Sequence, residues 1–475
     1  MPIRMTGRST CTTAGPCIKK ALGNTERKDT AMKSKRHTER SRRKWWLRRL
    51  ALISVALATA ALWSIPTAQG RATAHAIQAA GVIKMGALAT LTGPFAQLGA
   101  DSIRGVKMAL AEVHYQVAGK KIQLVVESSD GTPNVARDMV RKLIEQDGVD
   151  FEVGPLSGDE GIAVHDYAKT QPNKVFLNGS SAAEDTTLFS PARNFYRFST
   201  DGVQWMAGLG TYAYKVRHYR RVVTLGEDYS FPYSQVGGFM VEFCRAGGHV
   251  PHKFWVPLGN KDFSSVISAI PSDIDAIYVA LGGADGLNFL KQYVQFGGKA
   301  PIIGGSVTVD QTMLSTKGTL YQHVLKVPSA GPIADDNPAP AWKAFVKEYR
   351  TMFPYPIGNH SPSLFTHAYY VNAKAALLAL QQVHGDLSNG EAAFKRALDH
   401  LEFMSPTGMV HVDQNRNGVA DIFLTVVARH ADGTLYNKLI AVTHNVNQTL
   451  GVPRQEFLRK ILKGGHLSRA NPSCP

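Results

Sequence analysis

The sequence predicts an α/β protein made of two lobes, each a parallel β-sheet covered by helices. The first observation is the opening unit at 82–110, in which an apolar segment, a Gly93-Pro94 loop and an amphipathic segment follow one another as strand, loop and helix. The second is that short β-branched segments keep alternating with amphipathic ones, as expected when helices cover both faces of a sheet. The third is length. About 370 residues lie between a basic leader and a C-terminal tail, which is too many for one hydrophobic core and about right for two lobes.

Residues 1–76 differ in composition from the rest of the chain. They hold 16 Lys/Arg and 3 Asp/Glu, whereas the remainder holds 37 and 34, so the net charge of +16 belongs mainly to this leader. A basic segment around Arg42-Arg43, an apolar run at 50–63 and small-residue sites such as Ala74-His75-Ala76 follow in that order. This order is typical of a cleaved secretory signal, and the run is short for a membrane span. The sequence therefore predicts export and a soluble periplasmic product.

Two alternatives concern the leader. The paired arginines resemble a twin-arginine signal, so twin-arginine export and general secretion both stay open. A Lys/Arg-rich stretch is also typical of a nucleic-acid-binding arm, but the apolar run and cleavage sites directly after it argue against that interpretation.

Two cysteines remain after the leader, Cys244 and Cys474. An oxidising compartment would permit them to pair. The amphipathic helix predicted around Cys244 favours a buried free thiol instead.

Periodicity then places the elements in order. In the first lobe, strands are predicted at 122–127, 150–153, 174–177 and 195–198, with helices at 135–146 and 161–169. The same construction repeats with strands at 222–225, 274–279 and 301–303 and helices at 233–246, 263–269 and 287–296. Helices at 342–349 and 363–382 and strands at 409–412, 422–428 and 435–442 complete the pattern.

The loop of the opening unit also carries a family resemblance. The run Leu-Thr-Gly-Pro-Phe-Ala-Gln-Leu-Gly, followed by an acidic residue and an Arg-Gly-Val-Lys-Met-Ala helix, resembles the first unit of the periplasmic branched-chain amino-acid-binding proteins, the solute receptors of ABC importers. This resemblance, which extends over 77–442, implies a type 1 periplasmic-binding fold with two Rossmann-like lobes and a hinge of three crossings. The implied organisation is a leader at 1–76, a first lobe at 77–199 plus 330–403, a second lobe at 200–329 plus 404–445, and a loosely held tail at 446–475.

The resemblance also implies a function. We expect a small amino acid, or a related amide or carboxylate, to be bound by hinge closure and delivered to an inner-membrane ABC permease. A monomer is expected, with no nucleic-acid partner, no cofactor and no enzymatic activity. The alternatives are a ligand-sensing receptor domain, a transport receptor for small aromatic or aliphatic acids, and an exported enzyme that pairs Ser157 or Ser306 with His165.

The first candidate binding loop is 153–161, where a strand ends at Gly-Pro. Ser157 and Glu160 make a capping-box pattern at the start of the next helix, whose free N–H groups favour an anion. The resemblance implies that this loop meets the carboxylate of the ligand at Ser157 and Gly158, although Gly158 replaces a serine of the family pattern. Ser157 as a plain helix cap is the alternative.

The second candidate loop follows the strand at 174–177. By resemblance, the carbonyl of Ser180 and the position of Ala182 would meet the ammonium and carboxylate of an amino acid, but Ala182 lacks the hydroxyl expected there. Ser180 and Ser181 are candidates to compensate, and an ordinary turn explains both equally well.

The second lobe adds four candidates. The loop Gly-Glu-Asp-Tyr-Ser-Phe-Pro-Tyr resembles one that places an aromatic ring over the ligand, with Tyr229 as first candidate and Tyr233 as second. Asp285 is a candidate negative charge or a helix cap, and Ser306 stands where amino-acid receptors carry an acidic residue.

The predicted lining does not suit a zwitterion well. Leu98, Leu156 and Tyr229 are predicted to form an apolar wall. An ammonium group buried without a partner is penalised, so a small carboxylate or amide with an apolar part competes with an amino acid as the ligand.

Metal and catalytic motifs are weak. The run from Asp413 to Gly418 resembles the start of a calcium loop, but the twelfth position is Leu424, where a glutamate is needed. Asn417-Gly418 favours a hairpin turn between two strands, and no metal is assigned.

Overall fold

The computed structural model describes residues 81–318 and 320–474. The predicted leader lies outside these described residues, so its signal function stays a prediction. Within the described ranges, no helix is both long enough and apolar enough to cross a bilayer.

The first sheet follows the opening unit of the sequence. Its order is β2-β3-β1-β4-β5-β6, and all pairs are parallel except β2 with β3. Its strands are β1 Val82–Thr90, β2 Gln116–Val117, β3 Lys120–Ser129, β4 Phe151–Val153, β5 Val175–Leu177 and β6 Phe195–Tyr196.

The second sheet repeats the construction in the order β10-β9-β7-β8, with every pair parallel. Its strands are β7 Val222–Glu227, β8 Lys253–Val256, β9 Ala276–Ala280 and β10 Ile302–Gly304. The predicted α/β class with parallel-sheet lobes is therefore confirmed. β8 was not predicted, since only its last residue, Val256, is fully buried.

A third sheet is antiparallel. It has the order β11-β14-β13-β12, and β15 also pairs with β14. Its strands are β11 Pro328–Gly331, β12 Glu402–Ser405, β13 Gly408–Val412, β14 Gly418–Arg429 and β15 Leu435–Val446. The hairpin predicted at Asn417-Gly418 is confirmed, because β13 and β14 pair directly around it.

Helices cover both faces of the two parallel sheets, as the apolar strands require. Those before β6 are α1 Ala96–Glu112, α2 Pro133–Arg141 and α3 Gly158–Thr170. Those between β6 and β11 are α4 Leu209–Lys215, α5 Ser230–Arg245, α6 Ser264–Ala269, α7 Gly283–Gln295, α8 Gln311–Leu314 and α9 Leu320–Val324. Those after β11 are α10 Pro340–Met352, α11 Leu364–Gln382 and α12 Ser388–Asp399.

The chain returns to the first sheet after β11. Helix α11 packs along α1 so closely that a Cβ at Gly105 would lie 2.1 Å from the carbonyl oxygen of Thr366. We call the first sheet with α1–α3 and α10–α12 the first lobe, and the second sheet with α4–α9 the second lobe. The residue boundaries proposed from the sequence for the lobes stay predictions.

A buried arginine lies where the chain leaves the first sheet. Arg197 directly follows β6 and is 0% exposed. Its Nε donates to Asn417 Oδ1 at 2.7 Å, and its guanidinium also donates to the Ala183 carbonyl at 2.9 Å and to the Thr187 hydroxyl. The buried carboxyl of Asp201 is one of the charges acting on it, and burial raises the pKa of Asp201. We call these residues the hinge cluster.

The C-terminal segment corrects one expectation. Instead of a loose tail after 446, two helical turns at Arg454–Glu456 and Phe457–Ile461 pack on the protein. The apolar side chains of Phe457, Leu462 and Leu467 are buried against Leu188, Val203 and Val241. Arg454 also donates to the Leu188 carbonyl. The tail is held because its spaced apolar residues complete a small core.

The cysteines correct a second expectation. Cys244 of α5 and Cys474 form a disulfide across a sequence separation of 230, with their Cα atoms 5.4 Å apart. The free-thiol interpretation of Cys244 is therefore wrong. The amphipathic pattern around Cys244 reports only the helix, and it carries no information about a partner so far along the chain.

Glu152 leads to a pH prediction. Its carboxyl is buried in β4, and this burial raises its pKa well above the usual range. The folded protein therefore holds this proton to a higher pH than the unfolded chain does, so folding stability falls as pH rises above about 4.3.

Replacing Glu152 by glutamine should remove this pH-dependent loss of folding stability. We expect Glu152→Gln to stabilise the protein at pH 7 by up to about 3 kcal/mol and to flatten its pH profile between about pH 5 and 7. Urea unfolding at several pH values measures both effects. Exposed Glu402→Gln is the control, and parallel profiles for wild type and Glu152→Gln would contradict the prediction.

Candidate functional site

A small cavity lies between the two lobes, where the parallel strands end. Ligands of open α/β sheets bind at the carboxyl ends of the strands, because the loops and helix N-termini converge there. The first lobe contributes Phe95, Leu98, Leu156, Ser157, Ser180 and Phe365. The second lobe and the turn before α4 contribute Trp205, Tyr229, Phe231, Gly282 and Val307.

The lining is aromatic and uncharged. Of the described residues that form it, none is Asp, Glu, Lys, Arg or His. The rings of Phe95 and Tyr229 face each other across the lobes with centroids 6.4 Å apart, and Trp205 packs edge-on against Phe231 at 5.8 Å. Trp205 is held in place because its Nε1 donates to the Thr200 hydroxyl at 2.7 Å. Burial raises the pKa of Tyr229, so its hydroxyl is neutral at physiological pH.

The polar end of the cavity is organised by one buried carboxylate. Glu160 in the first turn of α3 accepts hydrogen bonds from the Thr90 hydroxyl at 2.9 Å, the Gly131 N–H at 3.0 Å and the Ser157 N–H at 2.9 Å. Thr90 is the last residue of β1, and Gly131 and Ser157 lie in the loops after β3 and β4. One side chain therefore joins the end of β1 to two loops of the first lobe, and the predicted bond from Glu160 back to Ser157 is confirmed.

Two serines present their hydroxyls at this end. Ser157 precedes α3 and donates through Oγ to the Gly131 carbonyl at 3.3 Å. Ser180 donates to the Leu156 carbonyl at 3.2 Å. Each hydroxyl can bind a carboxylate only by turning its proton from that carbonyl to the ligand, and both lie beside the helix N-terminus, where an anion is stabilised.

The two lobes meet beside this end of the cavity. Asp159 Oδ1 of α3 accepts the backbone N–H of Ser230, the first residue of α5, at 3.0 Å. The contact joins the starts of two helices that belong to opposite lobes.

Five of the eleven candidate residues line the cavity: Leu98, Leu156, Ser157, Ser180 and Tyr229. The other three candidates of the first lobe lie beside it. Gly158 packs against the start of α5, Ser181 against Gly161 of α3, and Ala182 is buried in the apolar cluster that contains Trp205. Ser181 and Ala182 thus occupy positions that support the lining residues.

The remaining candidates of the second lobe are engaged elsewhere. Tyr233 packs edge-on against Trp255 at 4.8 Å and donates to Asp228. Asp285 Oδ2 accepts the Gly259 N–H at 2.6 Å, and burial raises the pKa of Asp285. The backbone N–H of Ser306 donates to Gln235 Oε1 at 2.9 Å.

Sequence reasoning missed six lining residues. Phe95, Phe231, Gly282 and Val307 lie in or beside loops that were selected, so their loop position was the available signal. Trp205 and Phe365 come from a turn after the first crossing and from the start of α11, where an aromatic residue resembles any core residue.

The residues of the enzyme alternative are not arranged as a catalytic pair. His165 Nε2 lies 2.9 Å from the Ser190 carbonyl oxygen, its ring packs on Phe195, and burial lowers its pKa to about 4. The Ser157 hydroxyl donates to Gly131 instead.

Comparison with known proteins decides the family. The family model described as periplasmic binding protein matches residues 82–433, which is most of the chain. The chain belongs to the periplasmic binding protein family. As a periplasmic binding protein, it has a solute-receptor fold, binds a small molecule and works outside the cytoplasm with an ABC permease.

Individual relatives agree with this family. The periplasmic binding protein is 25% identical over 366 residues to Leu/Ile/Val-binding protein homolog 6 of Brucella melitensis, covering 76% of this chain and 91% of the relative. It resembles an ABC transporter substrate-binding protein from Sphaerobacter thermophilus with a TM-score of 0.70 and 27% identity. The match covers 77% of this chain and 99% of that protein. It also resembles a solute-binding protein of an ABC transporter from Rhodopseudomonas palustris BisB5, which was solved in complex with 3,4-dihydroxybenzoic acid. The TM-score is 0.70 and the identity 24%, and the match covers 77% of this chain and 98% of that protein.

Proposed function

We propose that this periplasmic binding protein is an exported transport receptor for a small monocarboxylic acid with an aromatic body. The acid binds between the lobes, favours the closed form and is handed unchanged to an inner-membrane permease. The observation that carries the proposal is the cavity lining, which combines eight apolar side chains with polar groups of Ser157 and Ser180 at one end.

Each part of such a ligand has a matching surface. A carboxylate suits the N-terminus of α3 and the hydroxyls of Ser157 and Ser180, because a helix start stabilises negative charge. An aromatic ring suits the wall formed by Phe95, Trp205 and Tyr229, since aromatic pairs add to the free energy of apolar burial. The dihydroxybenzoate bound by the Rhodopseudomonas relative has this composition.

The amino-acid hypothesis has less support. An ammonium group in the cavity needs a charged carboxylate, and the buried acids of the second lobe are poorly suited to it. Asp285 accepts the Gly259 N–H, and Glu227 accepts the Gly282 N–H at 3.0 Å through Oε1, while its Oε2 has no partner among the described residues. Burial also raises the pKa of Glu227, which disfavours its charged form.

A ligand panel tests the proposal. We expect 1 mM benzoate or 4-hydroxybenzoate to raise the Tm of the purified protein, whereas leucine, phenylalanine and benzamide leave it nearly unchanged. A ligand at 1,000 times its Kd stabilises the folded state by about 4 kcal/mol, which a thermal-shift measurement detects readily.

A pair of tyrosine variants locates the binding. Tyr229→Leu should weaken benzoate about tenfold in calorimetry because it removes the ring that faces Phe95. Tyr233→Leu is the matched control on the same helix start and should bind within threefold of wild type. Stabilisation by leucine without any response to the benzoates would overturn the proposal.

A further inference from the structure

The position of Gly158 is explained by the opposite lobe. A Cβ built at Gly158 would lie 2.4 Å from Ser230 Oγ and 2.8 Å from the backbone nitrogen of Phe231. Real side chains do not approach so closely, so residue 158 is a glycine because α5 begins against it. The serine expected here from the family pattern and the hydroxyl of Ser230 compete for the same space.

The hydroxyl of Ser230 lies next to the cavity lining and lacks a hydrogen-bond partner among the described residues. The residue is 9% exposed, and its Oγ is buried. A buried hydroxyl that makes no hydrogen bond is costly, which makes such groups exceptions that need an explanation. Its two chain neighbours, Tyr229 and Phe231, both line the cavity, as does Ser157 beside Gly158.

The charges and helix dipoles where Gly158 meets Ser230 favour an anion. Helices α3 and α5, of 13 and 16 residues, begin here from opposite lobes, and each brings the positive end of its dipole. Asp159 offsets part of this field by accepting the Ser230 N–H at 3.0 Å. The positive dipole ends of α3 and α5 repel each other, and a ligand carboxylate beside both helix starts lowers this repulsion.

We propose that the Ser230 hydroxyl, supplied by the second lobe, donates to the carboxylate of the ligand in place of the hydroxyl that the first lobe lacks at Gly158. The inference rests on the proposed function and identifies the group that selects an acid over its neutral amide. Because Ser230 reaches α3 only when the lobes are together, this contact adds affinity for the closed form alone.

The test compares benzoate with benzamide, which have nearly the same shape and differ in charge. We expect Ser230→Ala to lower the affinity for benzoate at least tenfold while changing benzamide less than threefold, because a hydrogen bond to a charged group is the stronger one. A merely structural role would weaken both ligands equally. Ser264→Ala, at the first residue of α6 and outside the cavity lining, is the matched control.

A variant at the facing glycine tests the shared space. Gly158→Ala should weaken both ligands alike, because its Cβ collides with Ser230 Oγ and with the backbone nitrogen of Phe231. Ser230→Gly removes the hydroxyl without adding any atom, and it should lower the affinity for benzoate as Ser230→Ala does. This second variant decides the question if Ser230→Ala fails to fold.

The outcomes separate the two proposals. If wild type binds no aromatic acid, the proposed function fails and this inference fails with it. If wild type binds benzoate but Ser230→Ala keeps the wild-type ratio of benzoate to benzamide affinity, the inference alone is overturned. A Ser230→Gly protein that keeps the wild-type ratio would overturn it as well.

Discussion

Arg197→Met is expected to destabilise the protein by about 3–5 kcal/mol, because removing one partner of a buried charge network leaves the others uncompensated. Arg197 is fully buried, and its guanidinium holds Asn417, Thr187 and the Ala183 carbonyl together. The carboxyl of Asp201 would lose its nearest favourable charge. For a chain of this size the loss corresponds to a fall in Tm of about 5 °C.

The control is an arginine in an exposed ion pair. Arg141 lies 3.2 Å from Asp138, and both side chains are about half exposed. Arg141→Met should cost less than about 1 kcal/mol, as exposed pairs do. Thermal and urea unfolding of both variants measure the difference, and an Arg197→Met protein as stable as Arg141→Met would contradict the assignment of Arg197 to the hinge cluster.

The second large effect is expected from the disulfide. In a Cys244→Ser/Cys474→Ser double variant the free energy of unfolding should fall by about 2–5 kcal/mol. The cross-link normally lowers the conformational entropy of the unfolded chain by closing a long loop. The loss should be accompanied by faster proteolysis within 447–474, since Leu467 and Phe457 then hold the segment without covalent help.

Reduction supplies the control for this variant. A reducing agent should lower the Tm of wild type toward that of the double variant and leave the double variant itself unchanged. Mass spectrometry of peptides from the unreduced protein identifies the linkage directly. A wild-type Tm that does not respond to reduction would show that the cross-link contributes little.

Much of the fold was predictable from the sequence because its signals are local. The strands β1, β4, β5, β7 and β9 are short apolar runs bounded by turn residues, and the parallel order follows from the helices between them. The same logic pointed to the loops that carry Ser157 and Ser180, since ligands gather where strands end, and the family resemblance then singled out Ser180 and Tyr229.

The rest depends on contacts between distant segments. Trp205 and Phe365 enter the cavity from a turn and a helix that only the assembled lobes bring to it. Cys244 and Cys474 are 230 positions apart, so no local pattern pairs them. The neighbourhood of Gly158 and Ser230 likewise exists only across the two lobes, and for that reason the glycine looked like a missing serine.

The three bonds accepted by Glu160 have a consequence for redesigning the receptor. They tie the end of β1 and the loops after β3 and β4 together behind the polar end of the cavity. The apolar wall, by contrast, is formed by side chains of other segments, such as Leu98, Trp205 and Val307. Substitutions in this wall should therefore change the ligand preference without loosening the polar end, provided that Glu160 is left untouched.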